Sequence, residues 1–273
     1  MQRLLVAVLA ALLASPAASF AQRERDDRDR QTDPDAFRWE GRVPEGQWIS
    51  LHNVNGPITV EAGSSDQVEV RAETRWRRGD PKDVRFETVR DGDNVVICAL
   101  WFDRSTCDAD GMHSRGRQNW DNDRNDVSVH FTVRLPRGVK VRANTVNGAV
   151  DISGARSEVV ARTVNGRVDA STASGPVAAQ TVNGAINVRM EALSGGGDME
   201  FETVNGSVKI EAPANLAADV SMSTVNGSLN SDFPLTVQGR ISKHRINATI
   251  NGGGRRLILK TVNGSVDLKK TSG

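Results

Sequence analysis

From Val139 onward the chain alternates apolar and polar positions in short bursts, and the bursts come in pairs. Val141 and Ala143 precede Thr145, and Val150 and Ile152 follow Gly148. The same arrangement recurs with Val159, Ala161, Val168 and Ala170, then with Val177, Ala179, Ile186 and Val188. It returns with Met199, Phe201, Val208 and Ile210, and again with Leu257, Leu259, Val266 and Leu268. Interleaved positions are polar or small: Asn144, Arg162, Gln180, Glu202 and Lys260 before the junction, Asp151, Asp169, Asn187, Lys209 and Asp267 after it. A period of two predicts strands with one buried face. The phase slips between the members of each pair, so the chain turns there.

Each junction is the tetrapeptide Thr-Val-Asn-Gly, starting at Thr145, Thr163, Thr181, Thr203, Thr224 and Thr261. Its turn residues are Asn147 and Gly148, Asn165 and Gly166, Asn183 and Gly184, Asn205 and Gly206, Asn226 and Gly227, and Asn263 and Gly264. A variant, Asn53-Val54-Asn55-Gly56, places Asn55 and Gly56 in the same role. Asn and Gly tolerate positive φ at such a turn. Successive starts from Thr145 lie 18, 18, 22, 21 and 37 residues apart. Two all-β architectures fit. Asn-Gly between alternating strands is a strong hairpin signal and predicts an antiparallel β-meander. Alternatively each repeat is one coil, of about 18–22 residues, in a parallel β-solenoid (a β-helix). Identity of the copies favours the solenoid. Stacked coils bring like residues within about 4.8 Å and let Asn hydrogen-bond to Asn, whereas alternate turns of a meander lie about 10 Å apart and gain nothing from being alike.

Residues 39–136 also read as strands, with a polar insertion at 103–125 that reads as a long loop. The repeat solenoid spans 137–270. Residues 22–38 are rich in alternating charge and nearly free of apolar side chains over most of their length, so a disordered charged linker is expected. Residues 1–21 have the form of a signal peptide: Arg3, an apolar run from Leu4 to Leu13, and Ser19-Phe20-Ala21 before a cleavage at Gln22. Ten apolar residues are too few to span about 30 Å of hydrocarbon, so no transmembrane anchor is expected after cleavage. Export to the periplasm, the cell surface or the medium follows. In an oxidising compartment Cys98 and Cys107 are expected to form a disulfide.

Aromatic residues make up only 4% of the chain, so the core is built from Val, Ile, Leu, Ala and Thr. A formal net charge of +1 gives no field for nucleic acid. The search for chemistry is negative. His52, His113, His130 and His244 form no paired metal or catalytic motif, and no Gly-x-Ser-x-Gly elbow is present. Asp121, Asp123, Asn125 and Asp126 resemble the start of a calcium loop, but the glycine and the closing glutamate are missing. Asp151 and Asp169 fall at equivalent positions of adjacent coils, with Arg162 and Arg167 nearby to balance them. No catalytic residue, metal site or cofactor is assigned.

These repeats, following Val133-Arg134-Leu135-Pro136-Arg137-Gly138 and ending in Gly252-Gly253-Gly254 and Thr261-Val262-Asn263-Gly264-Ser265-Val266, resemble the bacterial putative adhesins. These are exported β-helical domains without an established reaction, and the resemblance covers roughly residues 45–270. It implies a non-enzymatic envelope or surface protein, an adhesin-like scaffold whose partner is an envelope protein or glycan, with self-association also open. The competing expectations are a polysaccharide-active enzyme on a solenoid and an envelope-stress sensing module.

Overall fold

The computed structural model describes residues 31–101, 105–114, 126–237 and 242–271. These residues form strands and turns, with one short 3-10 turn at Pro81–Asp83. The first strands are β1 (Gln31–Gly41), β2 (Trp48–His52), β3 (Ile58–Ala62), β4 (Val68–Trp76), β5 (Arg85–Asp91), β6 (Asn94–Leu100), β7 (Ser105–Asp108), β8 (Gly111–Ser114) and β9 (Ser128–Leu135). Then come β10 (Lys140–Asn144), β11 (Val150–Ala155), β12 (Val159–Arg162), β13 (Val168–Thr172), β14 (Val177–Gln180), β15 (Ile186–Met190), β16 (Met199–Glu202) and β17 (Val208–Ala212). The last are β18 (Ala218–Ser223), β19 (Leu229–Ser231), β20 (Thr236–Val237), β21 (Arg245–Ile250), β22 (Arg255–Lys260) and β23 (Val266–Lys270).

The strands make a parallel β-solenoid with two long sheets. One has the order β1-β4-β9-β3-β11-β13-β15-β17-β23-β19, the other β20-β21-β18-β22-β16-β14-β12-β10-β2-β6-β5. Each coil gives one strand to each sheet, with the Thr-Val-Asn-Gly corner between them. Like stands over like: Val141 pairs with Val159 and Val159 with Val177, while Val150 pairs with Val168 and Val168 with Ile186. All these pairings are parallel, so the corners are not hairpins. The second corner of each coil varies in length, which is why the sequence period drifts. The segment between Met190 and Met199, for example, is longer than that between Thr172 and Val177.

Chain order and stacking order part company at the C-terminus. β22 lies between β16 and β18, and β23 between β17 and β19. The coil that starts last, at Thr261, therefore sits between the Thr203 and Thr224 coils. Both neighbours accept it in one register: Leu257 faces Met199 on one side and Val220 on the other, and Leu259 faces Phe201 and Met222. The long interval between the last two copies holds β20 and β21, which lie antiparallel to each other, with β21 antiparallel to β18.

Two boundaries expected from sequence are corrected, and the sequence leaves open whether residues 39–136 continue the solenoid. The column runs on across residue 136. β2 pairs with β10 and β3 with β11, because Asn53-Val54-Asn55-Gly56 joins them as another coil of the same column. The linker expected over 22–38 gives way to strand from Gln31 onward, where β1 adds to β4 at the sheet edge. Phe37 and Trp39 pack against the core there, and Phe37 stacks on Phe86 at 5.0 Å. The insertion at 103–125 is not simply a loop, since β7 and β8 pair within it as an antiparallel hairpin.

The apolar faces of the two long sheets enclose one core running along the column. Phe131 and Phe201 are its largest fully buried side chains, and Val, Ile, Leu, Ala and Met supply most of the rest. Shape matching along each stack, rather than a few large rings, fills the space.

Candidate interaction surface

Each residue of the corner has its own task. The Thr is buried and its hydroxyl donates to the Gly carbonyl of the neighbouring coil: Thr163 Oγ1 to Gly148 O, Thr181 Oγ1 to Gly166 O and Thr203 Oγ1 to Gly184 O, each 2.9 Å. The Asn side chains form a ladder: Asn165 donates to Asn147, Asn183 to Asn165, Asn205 to Asn183, Asn263 to Asn205 and Asn226 to Asn263, each at 2.8 Å. Amide side chains both donate and accept, so the ladder satisfies itself rung by rung.

The positive φ that the sequence suggests is found at two corner glycines, Gly56 (120°) and Gly264 (153°), but not at Gly148, Gly166, Gly184, Gly206 or Gly227. What requires glycine is close approach. A Cβ on Gly184 would lie 1.9 Å from the carbonyl oxygen of Gly166, and one on Gly166 2.0 Å from that of Gly148. The Thr hydroxyl bonds to that same carbonyl, so coils are drawn together where a side chain cannot fit.

The Val of each corner points outward. Val146, Val164, Val182 and Val204 are 36–40% exposed and Val225 is 59% exposed; these are the exposed large apolar side chains among the described residues. They stack beside the Asn ladder as a narrow ridge. With Val54 and Val262 in their places it spans seven coils, six steps of about 4.8 Å, or about 29 Å. The ridge was missed in the sequence. Its signal is the identical Val at the second position of each repeat, where the alternation of inward and outward residues breaks.

The outer face of the ten-stranded sheet carries a shallow trough of about 430 Å³ across several coils. Asp151 and Asp169 are adjacent there, as expected, and Arg167 ties them together, with an Nη2 to Asp151 Oδ1 contact of 2.6 Å. Asn187 donates to Asp169 at 2.7 Å. Partial burial raises the Asp151 carboxyl above its ordinary range and Asp169 adds to this, while Arg167 opposes both. Farther along, Glu211 receives Lys209 at 2.8 Å and Arg189 at 3.0 Å, and its carboxyl is lowered chiefly by Lys209. The charges of this face are spent on one another. A second cleft, of about 920 Å³, lies among the variable corners near Arg42, Ser65, Arg137 and Arg156.

On the other sheet the hairpin β7–β8 covers the outer side of β6. Val96, Cys98 and Leu100 form a small second core there, with Val89, Cys107 and Met112 against it. Cys98 and Cys107 are joined by a disulfide that holds the hairpin down. His52 lies beneath Gly111, whose ideal Cβ would be 2.3 Å from the ring. Burial, then Arg142 and His113, lower its pKa to about 4, with Asp108 acting the other way. His113 instead meets Asp108 at 2.9 Å on the surface.

Of the calcium-loop residues, Asp121, Asp123 and Asn125 lie outside the described residues. Asp126 is described, and its Oδ1 accepts the backbone N–H groups of Arg77, Arg78 and Gly79 at 3.1 Å each. Its carboxyl is shifted down because these bonds outweigh its burial. The carboxylate fastens the end of β4 to the start of β9. Among the described residues no group of His, Cys, Asp and Glu is arranged to hold a metal ion, and no helix is long and apolar enough to cross a membrane.

A two-sheet parallel solenoid with Thr-Val-Asn-Gly corners defines the class of protein. The Toastrack DUF4097 family model matches residues 117–269, more than half of the sequence, and the chain belongs to that family. Among solved structures it is similar to a putative cell adhesion protein from Clostridium sporogenes, at 7% identity and a TM-score of 0.41, covering 89% of this chain and 99% of that one. It is also similar to a putative adhesin from Bacteroides fragilis, at 10% identity and a TM-score of 0.33, covering 88% and 97%. No curated protein matches the chain.

Proposed function

We propose that the chain is an exported, non-catalytic, adhesin-like scaffold that binds an envelope protein or glycan along its column of coils, in the periplasm or at the cell surface. The observation that carries this reading is the ridge. Stacked valines flanked by an Asn ladder offer a repeated pair of contacts, one apolar and one hydrogen-bonding, on a rigid frame. Repeat surfaces bind by summing many weak contacts of this kind. The one stacked carboxylate pair suggested by sequence is bridged by Arg167, so acid–base chemistry on a sugar has less support.

The test is binding of the purified chain to intact bacterial envelopes. A variant with Val146, Val164, Val182 and Val204 all changed to Ser keeps the buried positions and removes four adjacent valines of the seven in the ridge. Its binding is expected to fall at least about tenfold, since each lost apolar contact removes a few tenths of a kcal/mol or more. Undiminished binding would remove the ridge from consideration, and release of sugar from a glycan panel would overturn the non-catalytic reading.

A further inference from the structure

The second corner of each coil, opposite the Thr-Val-Asn-Gly corner, returns the chain from the ten-stranded sheet to the other. From β11 onward the step is regular: β11 leads to β12 and β13 to β14, each one level along the column. Before that it is interrupted. β3 does not cross but turns back into β4, and β9 crosses to β10 past the level of β3 and β2. The chain reaches β2 from β1 instead, and Gly46 N donates to Gly138 O at 2.8 Å where the two crossings meet. The cleft of about 920 Å³ lies at this irregularity, beside the C-terminal ends of β9, β3 and β11. Its size is that of a small-molecule site, about 300–1,000 Å³.

The floor of the cleft is apolar and belongs to the core, with Val43, Leu135 and Val139 all buried. The rim is charged. Arg137 follows the end of β9 and Arg156 the end of β11. Both are exposed, and neither side chain has a hydrogen bond or ion pair among the described residues. Glu158, close in sequence to Arg156, pairs with Lys140 instead, at 3.1 Å. Arg42 is held by Asp66. Glu45 lies over Gly138 on the same rim.

The corner itself does not need these arginines. Ala155 pairs with Thr172, which sets Ala173 at the level of Arg156, and the corner formed by residues 173–176 carries no charge. It nevertheless makes the same kind of return, from β13 to β14. Two guanidinium groups without protein partners, set beside an apolar floor, are therefore open to a ligand.

We propose that this cleft binds an acidic saccharide, a uronic acid unit whose carboxylate is taken by Arg137 and Arg156. A guanidinium fork matches a carboxylate with paired N–H donors. Three arginines against Glu45 and Asp66 leave the rim one positive charge, which suits a ligand with a single negative charge and disfavours a phosphate dianion. The two rim carboxylates accept from sugar hydroxyls, the Ser64 hydroxyl both donates and accepts, and the apolar floor receives the face of a ring. The site rests on the glycan reading given above but not on the ridge, which runs along the opposite corner of the coils.

Calorimetric titration of the full, oxidised chain with trigalacturonic acid and with a hyaluronan tetrasaccharide tests this. Binding of at least one with a Kd below about 1 mM is expected, and a fully methyl-esterified, neutral trigalacturonate should bind at least about tenfold more weakly than the acid. Arg137→Ala and, separately, Arg156→Ala should each weaken binding at least about tenfold, as the loss of a charge-assisted pair does. Arg245→Ala, in β21 toward the other end of the column, should leave it within about twofold. The four-valine ridge variant should do the same, so failure of the ridge and failure of the cleft are read separately. Unchanged thermal melting identifies the variants that keep their fold; with two arginine variants, failure of one to fold leaves the other. Absence of binding to both saccharides overturns the proposal, as does binding that the arginine variants leave intact. Equally tight binding of the methyl ester, of a hexaglutamate peptide or of inorganic phosphate also overturns it.

Discussion

The inner coils and the layer formed by β6 and β9 solve one problem with different residues. In an inner coil a four-residue corner joins the two sheets and bonds to the same four residues above and below. The β6/β9 layer has a regular coil on one side only, and there the motif disappears. Residues 101–127 connect its strands, and the neighbouring coil adapts. Asn53 stands where later coils have Thr, and its longer amide donates to Gly56 O and Val129 O, both at 2.9 Å. Asn55, lacking an Asn beyond it, donates to Val127 O at 2.8 Å. A disulfide and a hairpin supply what repetition supplies elsewhere. The sequence repeats where corner stacks on corner, because there identity itself makes the contact; the Thr224 coil keeps the motif with such a neighbour on one side only.

The sharpest way to break the inner arrangement is Gly184→Ala. The new methyl meets the Gly166 carbonyl, which is backbone and is also engaged by Thr181, so the coils must separate. A loss of about 3 kcal/mol or more is expected in urea unfolding, at the upper end of overpacking costs. Gly196→Ala, where nothing lies within 4 Å, should stay within about 0.5 kcal/mol. The corresponding attack on the end layer is Cys98→Ala with Cys107→Ala. Opening a loop of this length costs about 2.5 kcal/mol in the chain-entropy model. The discriminating readout is hydrogen exchange: faster at β7, β8 and β6, unchanged from β12 to β15.

The junction between the end layer and the neighbouring coil, where His52 of β2 pairs with Cys98 of β6, should also be acid-sensitive. His52 titrates near pH 4 in the folded protein and near 6.5 when unfolded. Above about pH 6.5 it is neutral in both states, and its contribution to stability is complete. As pH falls below that, the unfolded chain binds a proton that the folded chain refuses. Stability therefore drops until about pH 4, by about 2 kcal/mol at pH 5. Denaturation measured across this window should lose most of that slope in His52→Gln. An unchanged slope would place the acid sensitivity elsewhere.

The all-β class and the coil were legible because inward positions such as Val141, Val159 and Val177 recur with their neighbours, and near-identity only helps when copies touch. The hairpin alternative was refuted by the same logic, now visible as Asn-to-Asn bonds. Less was legible at Gly184, where a local rule about φ offered a ready reason, but the true one is a carbonyl eighteen residues away in sequence. β1 was hidden because its charges look like a tether, while the strand depends on Phe37 and Trp39 reaching a core built by later residues. The intercalated last coil could not be read at all. Its residues match either neighbour equally well, so pairing preferences do not determine the stacking order; the path of the chain through β20 and β21 does.

The smallest effect expected is the most specific to the ladder. Asn183 donates to Asn165 and accepts from Asn205, so Asn183→Leu removes two side-chain bonds and leaves two partners each missing one. These groups are exposed, so water takes over part of what is lost, and about 1 kcal/mol is expected. Asn226 ends the ladder and makes one such bond, to Asn263. Asn226→Leu should therefore cost about half as much, roughly 0.5 kcal/mol. Thermal or urea unfolding of the two variants side by side measures the difference. Equal losses would mean that the side-chain amides add nothing by stacking, and that Thr-to-Gly bonding and glycine's close approach hold the corner by themselves.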